Sequence, residues 1–379
     1  MSEEPTTGAR QARTGRTDRS VRTDRTDRPA RPRRPTAPDG LVLVDKPAGW
    51  TSHDVVARTR GLAGTRKVGH AGTLDPMATG VLVLGIGRAT RLLTYVVGAD
   101  KEYTATIRLG QTTSTDDAEG ETTSTAGAVG ITPEAVAAGV TRLTGEIQQV
   151  PSSVSAIKVD GKRAYALVRS GEEVTLDART VTISRFDVHA LRTVEVGLAE
   201  GQDAREAAEP SDAAESSDAA SAPAGGRGVT VLDVDVTVVC SSGTYIRALA
   251  RDLGADLGCG GHLTALRRTR VGGYRIEAAR SFDQLETQTG TDGVLATIPL
   301  ADAARATFPV RDLSAEEVVA LSYGQWLEAS GTVGTTAAVA PSGELVALVE
   351  DVTRSGHQKA KPVIVFAASQ GRPAEGPTS

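Results

Sequence analysis

The chain has few cysteines, few aromatic residues and no long apolar run, and each shortage excludes a class of protein. Two cysteines, Cys240 and Cys259, among 379 residues are too few for a disulfide framework or a zinc cluster. This usage fits a reducing, cytoplasmic compartment. No apolar run has the length of a membrane span, and the N-terminus lacks the apolar stretch of a signal peptide. We therefore expect no membrane association and no secretion.

The formal net charge of −5 hides two segments of opposite bias. Residues 1–40 contain ten arginines and six acids, whereas residues 200–218 contain seven acids and one arginine. Both segments have low complexity and little apolar surface to bury. We predict a disordered Arg-rich tail over residues 1–39 and a disordered acidic insertion over residues 200–228. A nucleic-acid partner is therefore not excluded by the total charge, because the folded part must be judged by its local charges.

The remaining sequence mixes strand and helix patterns without regular βαβ repetition. Alternating valines predict a strand at 232–238, and a period of 3.6 predicts a helix from Thr244 to Leu257 that stops at Gly258. Other strands are predicted at 41–44, 103–109 and 181–191, helices at 53–62 and 133–143, and a polar loop at 112–125. This pattern indicates an α+β fold with a mixed or antiparallel sheet. We assign one domain to residues 40–300, a small strand-rich domain to residues 301–369, and a tail to residues 370–379.

A glycine-rich motif at residues 69–80, GHAGTLDPMATG, is the most informative segment. Pro76 disfavours the α region for Asp75, which predicts a turn or extended segment there, with Asp75 able to cap a short helix from Pro76. A carboxylate on such a corner can face a cleft, and the glycines allow a ligand or another chain to approach closely. An aspartate in a glycine-rich turn, taken alone, is more often a simple turn residue.

Other candidate side chains are weak when each is taken alone. Tyr103 lies near the start of a predicted strand, and Tyr245 and Arg247 lie in the predicted helix. Tyrosines are often half-buried core residues, and an arginine pair four residues apart, such as Arg247 and Arg251, is usually a solvated helix face.

Several segments in the same order make the chain resemble the bacterial TruB family of tRNA pseudouridine synthases. The resemblance covers roughly residues 40–300. Besides the motif at 69–80, it is carried by Val44-Asp45-Lys46-Pro47, Lys101-Glu102-Tyr103, Pro151-Ser152, Ser155-Ala156 with Lys158, Gly243-Thr244-Tyr245-Ile246-Arg247, Gly258-Cys259-Gly260 and Leu266-Arg267-Arg268. It implies a pseudouridine synthase core followed by a small PUA-like RNA-binding domain.

The resemblance also implies an activity and a set of site residues. The expected reaction converts uridine 55 in the T-loop of tRNA to pseudouridine, with no cofactor, no metal and no obligatory protein partner. Asp75 is implied as the nucleophile, which attacks either the ribose C1′ or the base C6, and Arg247 as its partner. Tyr103 is implied to stack on the flipped uracil, and His70 to contact the RNA. Tyr245 and Leu266 are implied to line the uracil pocket.

Two other functions remain as alternatives at this point. One is a non-catalytic module that binds or folds tRNA, and the other is a pseudouridine synthase that depends on a guide RNA. In all three cases we expect some basic side chains to contact RNA phosphates. The candidates are Lys67, Arg88, Arg91, Lys158, Lys162, Arg267, Arg268 and Arg270.

Overall fold

The structure is a computed structural model that describes residues 34–152, 158–159, 162–163, 176–197, 228–289, 293–354 and 356–366. The predicted tail up to residue 33, the acidic insertion up to residue 227, and the residues after 366 lie outside this part of the chain. Contacts join the described residues from Arg34 onward into one unit.

One mixed sheet of ten strands carries the fold. Its strands, in chain order, are β1 (Gly40–Lys46), β2 (Val68–Ala71), β3 (Thr79–Ile86), β4 (Lys101–Leu109), β7 (Gly145–Gln149), β10 (Arg179–Gly197), β11 (Gly228–Cys240), β12 (Gly261–Val271), β13 (Tyr274–Arg275) and β14 (Ile298–Pro299). The main path is β14-β1-β3-β12-β4-β11-β10-β7, with β2 beside β3 and β13 beside β12. Within this sheet all strand pairs are antiparallel except β3 and β12, which run parallel over two residues. The predicted α+β class with a mixed sheet is confirmed.

A second sheet of five strands forms in the C-terminal segment, as the strand-rich pattern predicts. Its strands are β15 (Val310–Asp312), β16 (Leu327–Glu328), β17 (Thr335–Val339), β18 (Leu345–Arg354) and β19 (His357–Val365). They lie in the order β15-β17-β18-β19-β16. Two short hairpins complete the described strands: β5 (Thr112–Thr113) with β6 (Thr122–Ser124), and β8 (Lys158–Val159) with β9 (Lys162–Arg163).

The helices begin and end where local sequence provides caps. The described α-helices are α1 (Ser52–Leu62), α2 (Leu93–Gly98), α3 (Pro133–Arg142), α4 (Ile246–Asp256), α5 (Phe282–Gln288), α6 (Leu300–Arg305) and α7 (Ala315–Ser322), with 3-10 turns at Gly87–Arg91 and Ile276–Ala278. Thr51 and Asp54 form a reciprocal capping box at the start of α1. Thr132 caps α3 ahead of Pro133. Gly258, with φ of +70°, follows the end of α4, as predicted.

The helices cover the sheet on both faces. Helices α3 and α4 pack on the apolar face of β4 and β11, where Val136, Leu249 and Leu253 are buried. Val55 and Val56 of α1 pack into a second cluster with β1 and β3. A third cluster joins β1 and β3 to residues of β17 and β18, so the C-terminal sheet shares a core with the main sheet. Apolar burial of this kind is the main favourable term in folding.

Two basic residues predicted to contact phosphates also bind groups near the first and last residues that the structure describes. Arg88 forms an ion pair with Asp39 and donates to the Phe366 carbonyl. Arg91 donates to the Val365 carbonyl at 2.7 Å and lies over the Phe366 ring. Ala37, within the predicted tail, is buried, and its N–H donates to the Ala63 carbonyl. Ala37 and Asp39, which the sequence assigns to the tail, are therefore held against the folded part of the chain.

Gly80 lies where β3 approaches β12 most closely. Its φ is +100°, and a Cβ there would lie 2.2 Å from the Arg268 carbonyl oxygen and 2.8 Å from the Arg268 nitrogen. Both atoms belong to the backbone of the next strand, so they cannot move aside cheaply. Gly61, on the exposed side of α1, has no atom within 4 Å of a built Cβ.

We therefore expect opposite results from two Gly→Ala substitutions. Gly80→Ala should destabilise the protein by more than about 2 kcal/mol, because it combines a positive φ with a backbone clash. Gly61→Ala should stabilise it by about 0.4–1 kcal/mol, because alanine lowers the conformational entropy of the unfolded chain. Thermal and urea denaturation of the two variants and the wild type would measure this. Equal midpoints for both variants would contradict the close approach at Gly80.

Candidate active site

The motif loop, residues 72–78, connects β2 to β3 and is held by side chains from three other segments. Lys46 Nζ donates to the Pro76 carbonyl at 3.0 Å. Ser52 Oγ accepts from the Leu74 N–H at 2.9 Å and lies 3.2 Å from its carbonyl. Arg268 Nη2 donates to the Gly72 carbonyl at 3.0 Å. The loop backbone therefore has the partners that an irregular segment needs.

Asp75 lies on a bend of this loop, as the following proline predicts. The expected short helix from Pro76 does not form. Residues 76–77 make a bend instead, and the Ala78 N–H donates to the Asp75 carbonyl at 3.1 Å. The chain then enters β3 at Thr79, because its next residues pair with β1 and β12. The carboxylate is left facing a cleft.

The Arg247 guanidinium forms an ion pair with this carboxylate. Nε of Arg247 lies 3.1 Å from Oδ2 of Asp75. The Arg247 side chain is 4% exposed, and the Asp75 side chain is 39% exposed. Arg247 therefore does not lie on a solvated helix face, because α4 turns it inward toward the motif loop. The sequence predicts both residues for the site, and the structure brings them together.

A second carboxylate, Asp117, shares the same guanidinium and is absent from the sequence-based candidates. Its Oδ2 lies 3.3 Å from Arg247 Nη1, and its side chain is 3% exposed. Arg247 Nη1 also donates to the Thr115 carbonyl at 2.9 Å. Asp117 Oδ1 accepts from Thr115 Oγ1 at 2.5 Å and from the Glu119 N–H at 3.0 Å. Asp117 is therefore fixed from both sides.

A pairwise pattern in the sequence could have pointed to Asp117. Two adjacent acids, Asp116 and Asp117, pair with two arginines that are four residues apart. Asp117 pairs with Arg247, and Asp116 Oδ2 lies 3.4 Å from Arg251 Nη1. The segment predicted as a plain polar loop contains this acidic pair within the β5–β6 hairpin. Asp116 adopts φ of +60°, a left-handed conformation that aspartate tolerates better than most residues.

Opposing effects set the ionisation of Asp75. Burial of the carboxylate in the wall of the cleft raises the pKa of Asp75. Arg247 and Lys46 act to lower that pKa, whereas the negative charge of Asp117 acts to raise it. Burial also lowers the pKa of Lys46 to about 8. The two nearby cations thus offset part of the desolvation of the carboxylate.

A cavity of about 280 Å³ opens beside Asp75. Its lining includes five of the six residues predicted for the site: Asp75, Tyr103, Tyr245, Arg247 and Leu266. Lys101 and Arg268 also line it, together with residues of the motif loop and the turn before α4. The volume is near the lower end of the range for small-molecule sites.

Tyr103 reaches the wall of this cavity from β4. Tyr103 lies between Val238 of β11 and Arg268 of β12 in the sheet register. Burial raises the pKa of Tyr103, whereas the nearby Arg268 guanidinium acts to lower it. The phenol is therefore protonated at neutral pH.

The sequence predicts Arg268 as a contact for an RNA phosphate, and the structure corrects this, because the side chain lies inside the protein and holds the motif loop. It is fully buried, and its Nε donates to the Val81 carbonyl at 2.8 Å. Two neighbouring arginines also form ion pairs with aspartates of the same chain. Arg267 forms a two-point ion pair with Asp45, and Arg270 forms one with Asp100.

Tyr245 and Leu266 lie on the remaining walls. Tyr245 occupies the N-cap position of α4, and its N–H donates to Gln149 Oε1 at 2.8 Å while its carbonyl accepts from Gln149 Nε2 at 3.0 Å. Gln149, at the end of β7, is buried, so this two-point contact fixes where α4 begins. Leu266 is buried on β12.

His70, the sixth predicted residue, does not line the cavity. It lies on β2, two residues before Gly72, and its ring contacts the ring of His53 on α1. Of the remaining basic candidates, Lys67 is exposed. Lys158 and Lys162 lie in the β8–β9 hairpin, whose side chains are not described.

The part of the chain that the structure describes contains neither a cluster of candidate metal ligands nor a membrane-spanning helix. No three His, Cys, Asp or Glu side chains come together there as candidate metal ligands. No helix among the same residues combines the length and the apolar character needed to cross a membrane.

Comparison with solved structures shows the fold. The chain superposes on the chain of a structure described as a Cbf5-Nop10-Gar1 complex with a TM-score of 0.59 and 24% identity, which covers 87% of this chain and 85% of the other. A structure described as an H/ACA RNP bound to a substrate RNA containing 2′-deoxyuridine gives a TM-score of 0.57 and 22% identity, covering 88% and 87%.

Comparison with characterised families and curated proteins shows the relationship at the sequence level. Residues 60–200 match the TruB family pseudouridylate synthase N-terminal domain, residues 247–296 the tRNA pseudouridylate synthase B C-terminal domain, and residues 308–367 the tRNA pseudouridine synthase II C-terminal domain.

Similar curated proteins include the tRNA pseudouridine synthases B of an Arthrobacter species and of Thermobifida fusca. The first is 56% identical over 343 residues, covering 88% of this chain and 98% of the relative. The second is 53% identical over 331 residues, covering 87% and 99%. The chain thus belongs to the TruB family of pseudouridylate synthases.

Proposed function

We propose that this enzyme converts uridine 55 in the T-loop of tRNA to pseudouridine, with Asp75 as the nucleophile. The observation that carries the proposal is the Asp75 carboxylate, which faces a cavity beside Tyr103 and pairs with the buried Arg247. The high identity to proteins named tRNA pseudouridine synthase B supports tRNA as the substrate. The two free thiols are consistent with a cytoplasmic location.

The reaction needs no added group. The N1–C1′ bond of the nucleotide breaks, the uracil turns, and a C5–C1′ bond forms while C5 loses its proton and N1 gains one. A carboxylate can add to an electrophilic carbon, and it must be ionised to do so. Arg247 supports the ionised form, because an adjacent guanidinium favours the charged carboxylate.

The target uridine must leave the stack of the T-loop to reach Asp75. Base flipping costs stacking energy that the enzyme must replace. We assign this role to Tyr103, since its aromatic side chain lines the same cavity as Asp75. Tyr245 and Leu266 would enclose the base from the other walls. His70, outside the cavity, is proposed to contact the remainder of the RNA loop.

The C-terminal sheet is proposed as a PUA-like RNA-binding domain. Its surface presents Tyr323, which is half exposed, and Trp326, whose ring lies 4.9 Å from the Arg354 guanidinium carbon. Aromatic and arginine side chains together suit RNA bases and phosphates. This domain would bind a part of the tRNA away from the T-loop.

Replacement of Asp75 tests the reaction directly. We expect wild type to form pseudouridine in an unmodified tRNA transcript without guide RNA, and Asp75→Asn to lose activity by more than about a thousandfold. Release of tritium from uridine labelled at C5 gives the rate, and mass spectrometry locates the product. Asp283→Asn, on an exposed turn of α5, is the matched control and should retain wild-type activity.

Four outcomes would contradict the proposal in different ways. Near-normal activity of Asp75→Asn would remove the nucleophile from the mechanism. Binding of tRNA without any pseudouridine would favour a non-catalytic module, and activity only after a guide RNA is added would favour a guide-dependent enzyme. Product at another uridine would overturn the T-loop assignment.

The charge balance around Asp75 predicts the pH dependence. Activity requires ionised Asp75, so kcat/KM should fall as the pH falls through the pKa of Asp75. Asp117→Asn removes a negative charge that raises that pKa, and the acid limb should therefore move to lower pH. The same variant should lose about tenfold in kcat, because Arg247 loses one of its two carboxylates. A pH profile measured under single-turnover conditions would show both effects, and an acid limb moved to higher pH would contradict the assignment.

Tyr103 is predicted to affect turnover more than binding. Tyr103→Ala should lower the single-turnover rate by about 10–100-fold while changing the Kd for tRNA by less than about threefold, because the ring acts only on the flipped base. Tyr103→Phe retains the ring and loses only the hydroxyl, so it should retain more activity than Tyr103→Ala. Equal losses in rate and in filter-binding affinity would argue against stacking on the flipped base.

A further inference from the structure

We infer that His53, on the first turn of α1, forms a two-imidazole platform with His70, in which one ring stacks on an unpaired base next to the target uridine and the other ring supports it edge to face. The centroids of the two rings lie 5.8 Å apart at an interplanar angle of 76°, an edge-to-face contact. His53 is exposed and His70 is half-buried. This inference rests on the proposed function, since it requires an RNA loop as the substrate.

The position of His53 is fixed by the same contacts that hold the motif loop. Its neighbour Ser52 is buried and bonds to the backbone of Leu74, one residue before Asp75. The capping box between Thr51 and Asp54 fixes the first turn of α1 on either side of His53. The backbone of His53 therefore cannot shift relative to the motif loop without breaking buried hydrogen bonds.

Strand β2 directs His70 toward His53 on α1. On β2, Val68 and His70 share the face that packs toward α1, while Ala71 joins the cluster on the opposite face. The two rings thus come from different elements and meet beside the loop that carries Asp75.

The surroundings of the pair favour RNA as its partner. Arg66 and Lys67 are exposed on the segment just before β2, where they can contact phosphates. Unstacked bases bind well to aromatic faces, including histidine, and this is the usual way in which proteins recognise RNA loops. No third metal-binding side chain among the described residues completes a metal site with the pair.

A double-mutant cycle on a T-stem-loop RNA tests the platform. His53→Ala should lower kcat/KM by about tenfold, mainly through KM, and His70→Ala should do the same. The double variant should also lose about tenfold and not about a hundredfold, because the rings act as one unit. His53→Phe should stay within about twofold of wild type, because it retains a ring. Arg58→Ala, on the exposed side of the same helix and paired with Glu286, is the control that should not change kcat/KM.

RNAs with a single abasic nucleotide beside the target uridine identify the contact. The loss caused by His53→Ala should disappear on one of these RNAs and persist on the others. If the wild type is active, three results would overturn the platform alone. They are no loss of kcat/KM in His53→Ala, losses that multiply in the double variant, and a His53→Ala loss that is the same on every abasic RNA. A wild type that forms no pseudouridine would overturn the proposed function, and the platform with it.

Discussion

The buried Arg247 guanidinium is the constraint on which the site depends. A charge that is almost excluded from water must be paired, and removal of one partner from such a pair is strongly destabilising. Asp75 and Asp117 provide that pairing from two loops far apart in the chain, while α4 provides the arginine. One side chain thereby fixes the relative positions of three segments. The Gln149 side chain, which binds both backbone groups of Tyr245, fixes the start of the same helix.

A second constraint is that the motif loop has no regular secondary structure, so its carbonyls need donors from elsewhere. Lys46 and Arg268 provide them from opposite sides, and both are fully buried. One of these donors also has an electrostatic effect on the carboxylate. Lys46 both donates to the Pro76 carbonyl and acts to lower the pKa of Asp75, so loop geometry and carboxylate ionisation depend on the same side chain. Replacement of Lys46 by a neutral donor would retain only the hydrogen bond to the loop.

Sequence reasoning succeeded where the signal was local and failed where it was not. The alternation in β11, the helical period of α4 and the caps of α3 each lie within a short window, and each element formed as predicted. Asp117 and Arg268 depend on partners more than 100 residues away, and nothing within a window distinguishes a buried arginine from a phosphate contact. Family resemblance provided five residues that the cavity brings together. It did not provide the second carboxylate, since a polar loop rich in acids is the ordinary pattern for solvent-exposed chain.

The charge arrangement is best understood from the state in which the cavity is filled. In the free enzyme one side of the Asp75 carboxylate faces the cleft and water, which partly solvates it. A flipped base that fills the cavity would displace this water and increase the desolvation that already raises the pKa of Asp75. The ionised nucleophile would then depend more strongly on Arg247 and Lys46, because electrostatic interactions strengthen as water is excluded. Under the proposed mechanism, the effect of both cations on Asp75 would therefore grow as the substrate binds, and Asp117 would keep Arg247 in position while Asp75 reacts.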